Sequence, residues 1–369
     1  MFTTVSACYD ATCVILVDIP NSIEDAQASA LRIKSSPPPF QPYSSTDPKG
    51  EKLAKHLSGI DPDRLARKRL REAELVSALA VCRARFGGYG IPWCLPRNVS
   101  EPGKRYDDYD GSIKDGRKDQ ALRVPLILSP LDGANRFEKQ SEIQDILVVN
   151  PSPSQTRLEV GQSKYFIPPQ TAFVMSSVKH GMYAFNALGK SFDLVVLDPP
   201  WSNRSVRRST AYRTHENQAE DPFIQTLPIL KSHLNADGLV AVWVTNKDAV
   251  QTSVVEALLS LDLHLKAEWT WLKITAEGQP VTSIHGVWRQ PYETLLVFAS
   301  AASCKNIPRK ILLAVPDVHS RKPSLKRLFE QLLPLRYEAL ELFARSLTAG
   351  WWSWGDQVLK FQDVDQWAE

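Results

Sequence analysis

The sequence predicts an α/β fold built on a doubly wound sheet, preceded by a region of different texture. Three observations carry this expectation. From about Leu158 onward, short apolar runs alternate with stretches of helical spacing. The runs Phe192–Leu197, Gly238–Val244, Glu293–Phe298 and Tyr337–Phe343 are rich in Val and Leu, as in strands buried on both faces. Ahead of them, residues 35–50 read SSPPPFQPYSSTDPKG, a Pro- and Ser-rich break with almost no periodicity.

Taken in order, the β-branched run Thr12–Val17 predicts a strand, and residues 35–50 a mobile linker. Asp61-Pro62 reads as the N-cap and first residue of a helix. Leu75, Leu79, Cys82 and Phe86 then fall at four-three-four spacing, and Gly87-Gly88 ends the helix. Residues 87–116 are broken by Pro, Gly and Asp and predict loop with short strands. Helices are predicted at Pro222–Leu234, Asp248–Leu261 and Pro323–Leu333, the last with Leu325, Leu328, Phe329 and Leu332 on one face. The expected division is an N-terminal accessory domain over 1–157 and the α/β domain over 158–369. No internal repeat is present.

Composition narrows the class. At 369 residues, 43% hydrophobic and 23% charged, the chain has the profile of a soluble globular protein. Its most apolar early run, Cys13–Ile19, is too short to span a bilayer and has no basic segment before it, so no membrane role is expected. Cys8, Cys13, Cys82, Cys94 and Cys304 are scattered, which favours free thiols in a reducing compartment. The seven histidines show no metal-ligand spacing, and no metal is expected. A net charge of +3 is too small to imply a nucleic-acid partner, but its distribution is uneven. Arg204, Arg207, Arg208 and Arg213 stand together without an acid. Lys305, Arg309, Lys310, Arg321, Lys322, Lys326 and Arg327 form a second group, interrupted by Asp317. Arg64, Arg67, Lys68, Arg69 and Arg71 form a third, on the predicted helix. Any such run can be a solvated face, and for the third that reading stands level with RNA contact.

Asp198-Pro199-Pro200-Trp201 follows the strand Phe192–Leu197 without a spacer, where α/β sheets present their ligands. An exocyclic adenine amine is a poor nucleophile, because its lone pair is delocalised into the ring. Hydrogen bonds from its N–H groups to the Asp198 carboxylate and the Pro199 carbonyl would draw the nitrogen towards tetrahedral geometry. Two prolines fix the backbone and remove competing donors. Trp201 offers a flat face for a base, worth roughly 1–3 kcal/mol where bases stack on aromatics. The plain alternative is a tight turn with Asp as cap and Trp as core.

The tetrapeptide resembles the signature of the MT-A-seventy family of adenine methyltransferases, and within it the branch called methyltransferase-like four. The run DPPWSNRSVRRSTAY at 198–212 carries the likeness, with GLVAVWVTN at 238–246, EWTWLKIT at 268–275 and QPYE at 290–293. HSRKP at 319–323, ELFAR at 341–345 and GWWSWGDQVLKFQ at 350–362 complete it.

The resemblance implies a Rossmann-like class I methyltransferase fold of permuted motif order, which fits the lack of an early G-x-G-x-x-G. It implies S-adenosylmethionine as cofactor. Glu341 would then bond the ribose hydroxyls. Leu342, Arg345, Ser346, Asp356 and Gln357 would line the cofactor, with Ser177 and Val178 near its adenine. His319 and Lys322 would reach the methionine carboxylate or a phosphate. Asp198 would serve both base and cofactor. On the substrate side, Arg204, Arg207 and Arg208 flank the motif and are read as phosphate contacts, with Asn203 beside them. Lys273 stands level between a phosphate contact and a solvated strand end, and Tyr212 is open to covering the cofactor, stacking on a base or packing. Ser177, Arg321, Ser346 and Asp356 depart from the family's usual residues, which bears on cofactor affinity. Trp351, Trp352 and Trp354 are read as core. The implied substrate is adenosine in RNA, an internal 2′-O-methyladenosine of a spliceosomal small nuclear RNA, with adenine in DNA as alternative. The substrate of the resembled branch implies a nuclear location, with the cytoplasm as a further place. A monomer is expected because no protein partner is evident in the sequence, although other branches of the family are heterodimers. A non-catalytic RNA-binding subunit is the reading from another class, and the intact Asp198 motif and Glu341 weigh against it.

Overall fold

The computed structural model describes residues 6–9, 12–44, 47–87, 90, 92–99, 124–186, 188–201 and 221–368. Its centre is a mixed sheet of twelve strands. In chain order these are β1 (Ser6–Tyr9), β2 (Thr12–Leu16), β3 (Leu126–Ile127), β4 (Leu147–Asn150), β5 (Thr171–Val174) and β6 (Phe192–Leu197). There follow β7 (Leu234–Val244), β8 (Leu263–Lys273), β9 (Tyr292–Ser300), β10 (Arg309–Ala314), β11 (Ala339–Leu342) and β12 (Trp352–Trp354). Across the sheet the order is β1-β2-β10-β8-β9-β7-β6-β11-β12-β5-β4-β3.

Direction matters more than number. Between β2 and β5 only β9 runs against the others; it pairs antiparallel with both β7 and β8. The remaining strands of that stretch are parallel. Their carboxyl ends therefore share one edge, and it gathers Asp198, Lys273, Phe343 and the loop after β10. The start of β9, at Glu293, reaches the same edge because that strand is reversed.

The period-two alternation sorts the strands into two faces. Leu194, Val196, Trp243, Trp269 and Leu312 pack on one face, beneath α1 (Ile19–Ala26). Asp18 caps α1 by accepting the Asn21 N–H at 3.1 Å, and Ile19 and Ile23 point one turn apart into the core. On the other face Val195, Leu197, Val240, Val242 and Phe298 form a second core. Helices α4 (Val178–Asn186), α5 (Leu227–His233) and α6 (Asp248–Leu259) cover it with Val178, Ile229 and Val254. Gly181 of α4 lies so close to Trp354 that a Cβ would come 2.5 Å from the indole. Helices α2 (Glu51–Ser58) and α3 (Pro62–Gly87) precede these; α3 packs Leu75, Leu79 and Cys82 on Val14, Leu16 and Ile311, as the spacing predicts. Asp61 accepts the Arg64 N–H at 2.9 Å, as an N-cap should.

Several expectations change. The helix predicted at Pro323–Leu333 shrinks to α7 (Lys326–Glu330), because Pro323 and the chain before it follow the sheet edge as loop. Residues 36–44 and 47 lack helix and strand, as a linker would, yet they are tied down. Ala276 N donates to Pro39 O, Tyr43 N to Val281 O, and Trp288 N to Asp47 Oδ1, at 2.8, 2.8 and 2.9 Å. The expected boundary at 157/158 falls inside the strand Thr156–Val160. Residues before it supply β1 and β2 at one end of the sheet and β3 and β4 at the other. Strand Arg32–Ser35 forms a small sheet with Asn98–Val99 and with Trp367–Ala368 near the carboxyl terminus. Long-range pairing of this kind has no local sequence signal.

Candidate active site

A cleft opens at the carboxyl edge, on the α1 side of the sheet. Val196 and Asp198 from β6 and its following turn, Trp243 from β7, and Glu341 and Phe343 from the β11 segment form one wall. Ser320, Arg321 and Lys322 of the loop after β10, and Arg345 and Ser346, close it. Two residues other than glycine on this rim, Ser320 (φ +68°) and Phe343 (φ +61°), adopt left-handed backbone. Each such position costs about 1–3 kcal/mol and is held by its surroundings.

The electrostatics centre on Lys322. Its Nζ lies 3.1 Å from Asp198 Oδ1, 3.0 Å from Glu293 Oε2 and 5.2 Å from the Trp243 ring centroid. Glu293 also accepts from Lys273 Nζ at 2.5 Å. Acid and base alternate from Asp198 through Lys322 and Glu293 to Lys273. Burial alone would raise the Glu293 carboxyl, but Lys322 and Lys273 outweigh it and hold it at about 2. Burial likewise works against the Lys322 ammonium, and Asp198 and Glu293 overcome that and push it up. Among the described residues Glu341 forms no such ion pair. Burial, and then the charge of Asp198, raise its carboxyl to about 7, although Arg345 and Lys322 pull the other way.

The turn after β6 is held by backbone and ring. Asp198 N donates to Leu342 O at 3.5 Å, and Trp201 N to Pro199 O at 2.9 Å. Trp201 Nε1 donates to Trp243 O at 2.8 Å, and its ring leans on Phe223 at 5.7 Å. The Pro199 carbonyl thus accepts one hydrogen bond inside the turn. Pro200 is exposed beside it.

Of the residues expected at a cofactor, Asp198, Lys322, Glu341, Arg345 and Ser346 line the cleft. Others do not. Leu342 is fully buried on the opposite face, where its neighbours are Leu197 and Leu340. Val178 is core under α4, and the Ser177 hydroxyl pairs with His180 Nδ1 at 2.7 Å. Asp356 is exposed and Gln357 half-buried; both follow β12 on the same edge but outside the lining. His319 is exposed with its Nδ1 2.9 Å from Ser320 Oγ, beside the cleft rather than in it. The Ser346 hydroxyl is engaged by the amides of Gln27 and Gln362, at 3.3 and 3.2 Å. Lys273 is ion-paired with Glu293. Asn203, Arg204, Arg207, Arg208 and Tyr212 lie outside the described residues. Trp351 and Trp354 are buried, as expected of core, and Trp352 is half-buried.

The second basic group does not form one face. Arg309 pairs with Glu74, Arg321 with Asp317 and Arg327 with Asp25, while Lys310 is buried against Trp269 and Leu328 O. Arg64, Lys68 and Arg71 of the third group pair with Asp248, Glu72 and Glu268. Glu293 and Trp243 are site residues that the sequence reading did not assign, although both lie within the quoted runs.

The arrangement suits one chemistry. Two carboxylates, an ammonium and a guanidinium around an apolar cleft can hold a molecule with hydroxyls, a cation and a carboxylate, as S-adenosylmethionine is. The MT-A70 family matches residues 192–357, the stretch from the start of β6 to just past β12. The chain is 32% identical to the N6-methyladenosine RNA methyltransferase MTA1 of Cryphonectria parasitica, over 96% of this chain and 91% of that protein. It is 37% identical to the N(6)-adenine-specific methyltransferase METTL4 of Homo sapiens, over 55% of this chain and 44% of that one. A DNA N6-methyl methyltransferase of Caenorhabditis elegans is 33% identical, over half of each chain. The chain belongs to the MT-A70 family and is an adenine-N6 nucleic-acid methyltransferase.

Proposed function

We propose that the chain methylates the exocyclic amine of adenosine in RNA, at an internal 2′-O-methyladenosine of a spliceosomal small nuclear RNA. The observation that carries the chemistry is the Asp198 carboxylate at the cleft mouth, steered by Lys322 at 3.1 Å. Support for RNA comes from the relative matched over nearly its whole length, which bears an RNA methyltransferase name.

S-adenosylmethionine supplies an electrophilic methyl group when bound. The chain supplies position and charge. Lys322 occupies Asp198 Oδ1 and leaves Oδ2 to accept an N–H of the base. The Pro199 carbonyl accepts the second N–H, and the two bonds orient the nitrogen lone pair away from them. As the amine acquires positive charge, the Asp198 carboxylate stabilises it and is placed to take the proton. Trp201, braced by Trp243 O and Phe223, borders the base. Glu341 and Arg345 suit ribose hydroxyls and a carboxylate deeper in the cleft.

Purified protein incubated with S-adenosylmethionine and oligonucleotides, followed by nucleoside mass spectrometry, tests the reading. The panel pairs RNA with and without 2′-O-methyladenosine against single- and double-stranded DNA, each beside Asp198→Ala. Methylation favouring the 2′-O-methyl RNA is the expected result. Methylation of DNA alone would replace it with the second reading, which the name of the Caenorhabditis relative favours. Action as a nuclear monomer belongs to the same proposal; native mass and fractionation check it.

A further inference from the structure

The stretch matched by the family covers residues 192–357, yet the cleft it contains is closed by residues outside it, three of them more than 150 positions before its start. Ile23 and Ala26 of α1, Ile33 of the strand behind it, and Phe361 line the same cavity as Asp198 and Glu341. All three N-terminal residues are buried, Ala26 at 4% exposure.

This wall is fixed to the site rather than resting on it. Ala349 N donates to Ala26 O at 2.9 Å, and Gln27 Nε2 donates to Leu347 O at 2.9 Å and Gln362 Oε1 at 2.7 Å. Gln362 Nε2 returns a bond to Gln27 Oε1 at 3.0 Å. Ser324 N, two residues past Lys322, donates to Ser22 Oγ at 3.1 Å. Strand Arg32–Ser35 leads to Ser36, whose N–H donates to Asp317 Oδ1 at 2.9 Å on the loop that carries Lys322. The bonds from α1 and its continuation run to both sides of the cleft, to the segment after β11 and to the loop after β10.

We propose that α1 is a built element of the methyl-donor site, and that Ile23, Ala26 and Ile33 set the shape of the cofactor's apolar wall. Ala26 is the position that decides it. With only a methyl group there, the cleft stays open. A larger side chain at a cleft-lining position extends into the space that the ligand needs, whereas at an ordinary core position it strains the packing instead. The proposal rests on the reading of this cleft as the methyl-donor site, and binding by the wild type tests that reading separately.

The experiment is calorimetric titration of the full chain with S-adenosylhomocysteine for wild type, Ala26→Val, Ala26→Leu and Ala26→Phe, with a thermal melt of each. The expected result is a dissociation constant that rises with side-chain size, about tenfold or more for Phe, with one cooperative melt near the wild-type temperature. In turnover, KM for S-adenosylmethionine should rise while kcat at saturation holds. A wild-type dissociation constant throughout the series overturns the proposal, with or without a lowered melt. If Phe prevents folding, the Val and Leu variants decide by the same criterion. Absence of binding by the wild type would instead remove the donor-site reading.

Discussion

Asp198 meets two requirements at once. It must pair with the cation beside it, and it must keep an oxygen free for the base. Lys322 pairs with Oδ1, and the geometry leaves Oδ2 for the base. Asp198→Asn keeps shape and size but removes the charge. Methyl transfer should fall by about 10²–10⁴ in kcat, while S-adenosylhomocysteine binding persists in calorimetry. Unimpaired turnover would show that the carboxylate has no role in the step. Glu341 yields a pH prediction with a definite sign. Its carboxyl, raised to about 7 by burial and by Asp198, holds a proton in the folded state that the unfolded chain releases nearer its ordinary 4.5. Stability from this group is therefore present below pH 4.5 and is lost as pH climbs through 7. On the proposed role of Glu341 at the ribose, cofactor affinity should move oppositely, because the ionised carboxylate offers both oxygens as strong acceptors. Between pH 6 and pH 8 the ionised fraction rises about tenfold, and the affinity for S-adenosylhomocysteine should follow it. Glu341→Gln should flatten both dependences, and a variant that keeps them would assign the titration elsewhere.

The loop after β10 shows what an element needs in order to present one side chain. Lys322 lies within a segment with no regular structure, and a buried ion cluster fixes it. Asp317 accepts from Arg321 Nη1 at 2.7 Å and lies 3.7 Å from Arg97 Nη1, while Arg97 also donates to Val315 O, Pro316 O and Ser36 O. Side chains of all three ions are at most 2% exposed. Asp317→Ala would strand two buried guanidinium groups, at a cost of about 3–5 kcal/mol measured by urea denaturation. A loss below about 1 kcal/mol would mean that the backbone carbonyls alone satisfy Arg97 and Arg321. At this scale the sequence is legible where burial writes a period. Strands β6, β7 and β9 and helices α3 and α6 can be read from it, because burial on one or both faces repeats at a spacing that can be counted. The basic group from Lys305 to Arg327 does not read correctly as one surface, because its acids come from Glu74, Asp25 and Asp317 through folding. Glu293 escapes assignment for the same reason. Its partners Lys322 and Lys273 meet it only because β9 is reversed.

At the scale of the molecule, the contiguous motif at 198–201 is readable and the enclosure of its cleft is not. A motif is local, whereas the enclosure joins residues 18–36 to residues 317–367. The sequence division at 157/158 assigns the earlier segment to an accessory region. In the structure, residues before 158 instead supply a pair of strands at each end of the sheet and one wall of the site. A fragment of residues 158–369 should therefore fail to fold as a unit. It loses β2 from beside β10, and with it Ile15, Val17, Ile19, Ile23 and Ile33, all at most 8% exposed in the core on the cleft side of the sheet. Each such side chain contributes about 1.5–3 kcal/mol through burial, so five together approach the whole stability of an ordinary domain, about 5–15 kcal/mol. β10 would become a long, bare edge of Ile311, Leu312 and Leu313, a template for aggregation. Expression of 158–369 beside the full chain, read by size-exclusion chromatography and near-ultraviolet circular dichroism, checks this. A monodisperse fragment with a cooperative melt would restore the division into two domains. An aggregated or molten fragment that residues 1–157 rescue when co-expressed would establish that both regions build one sheet and one site.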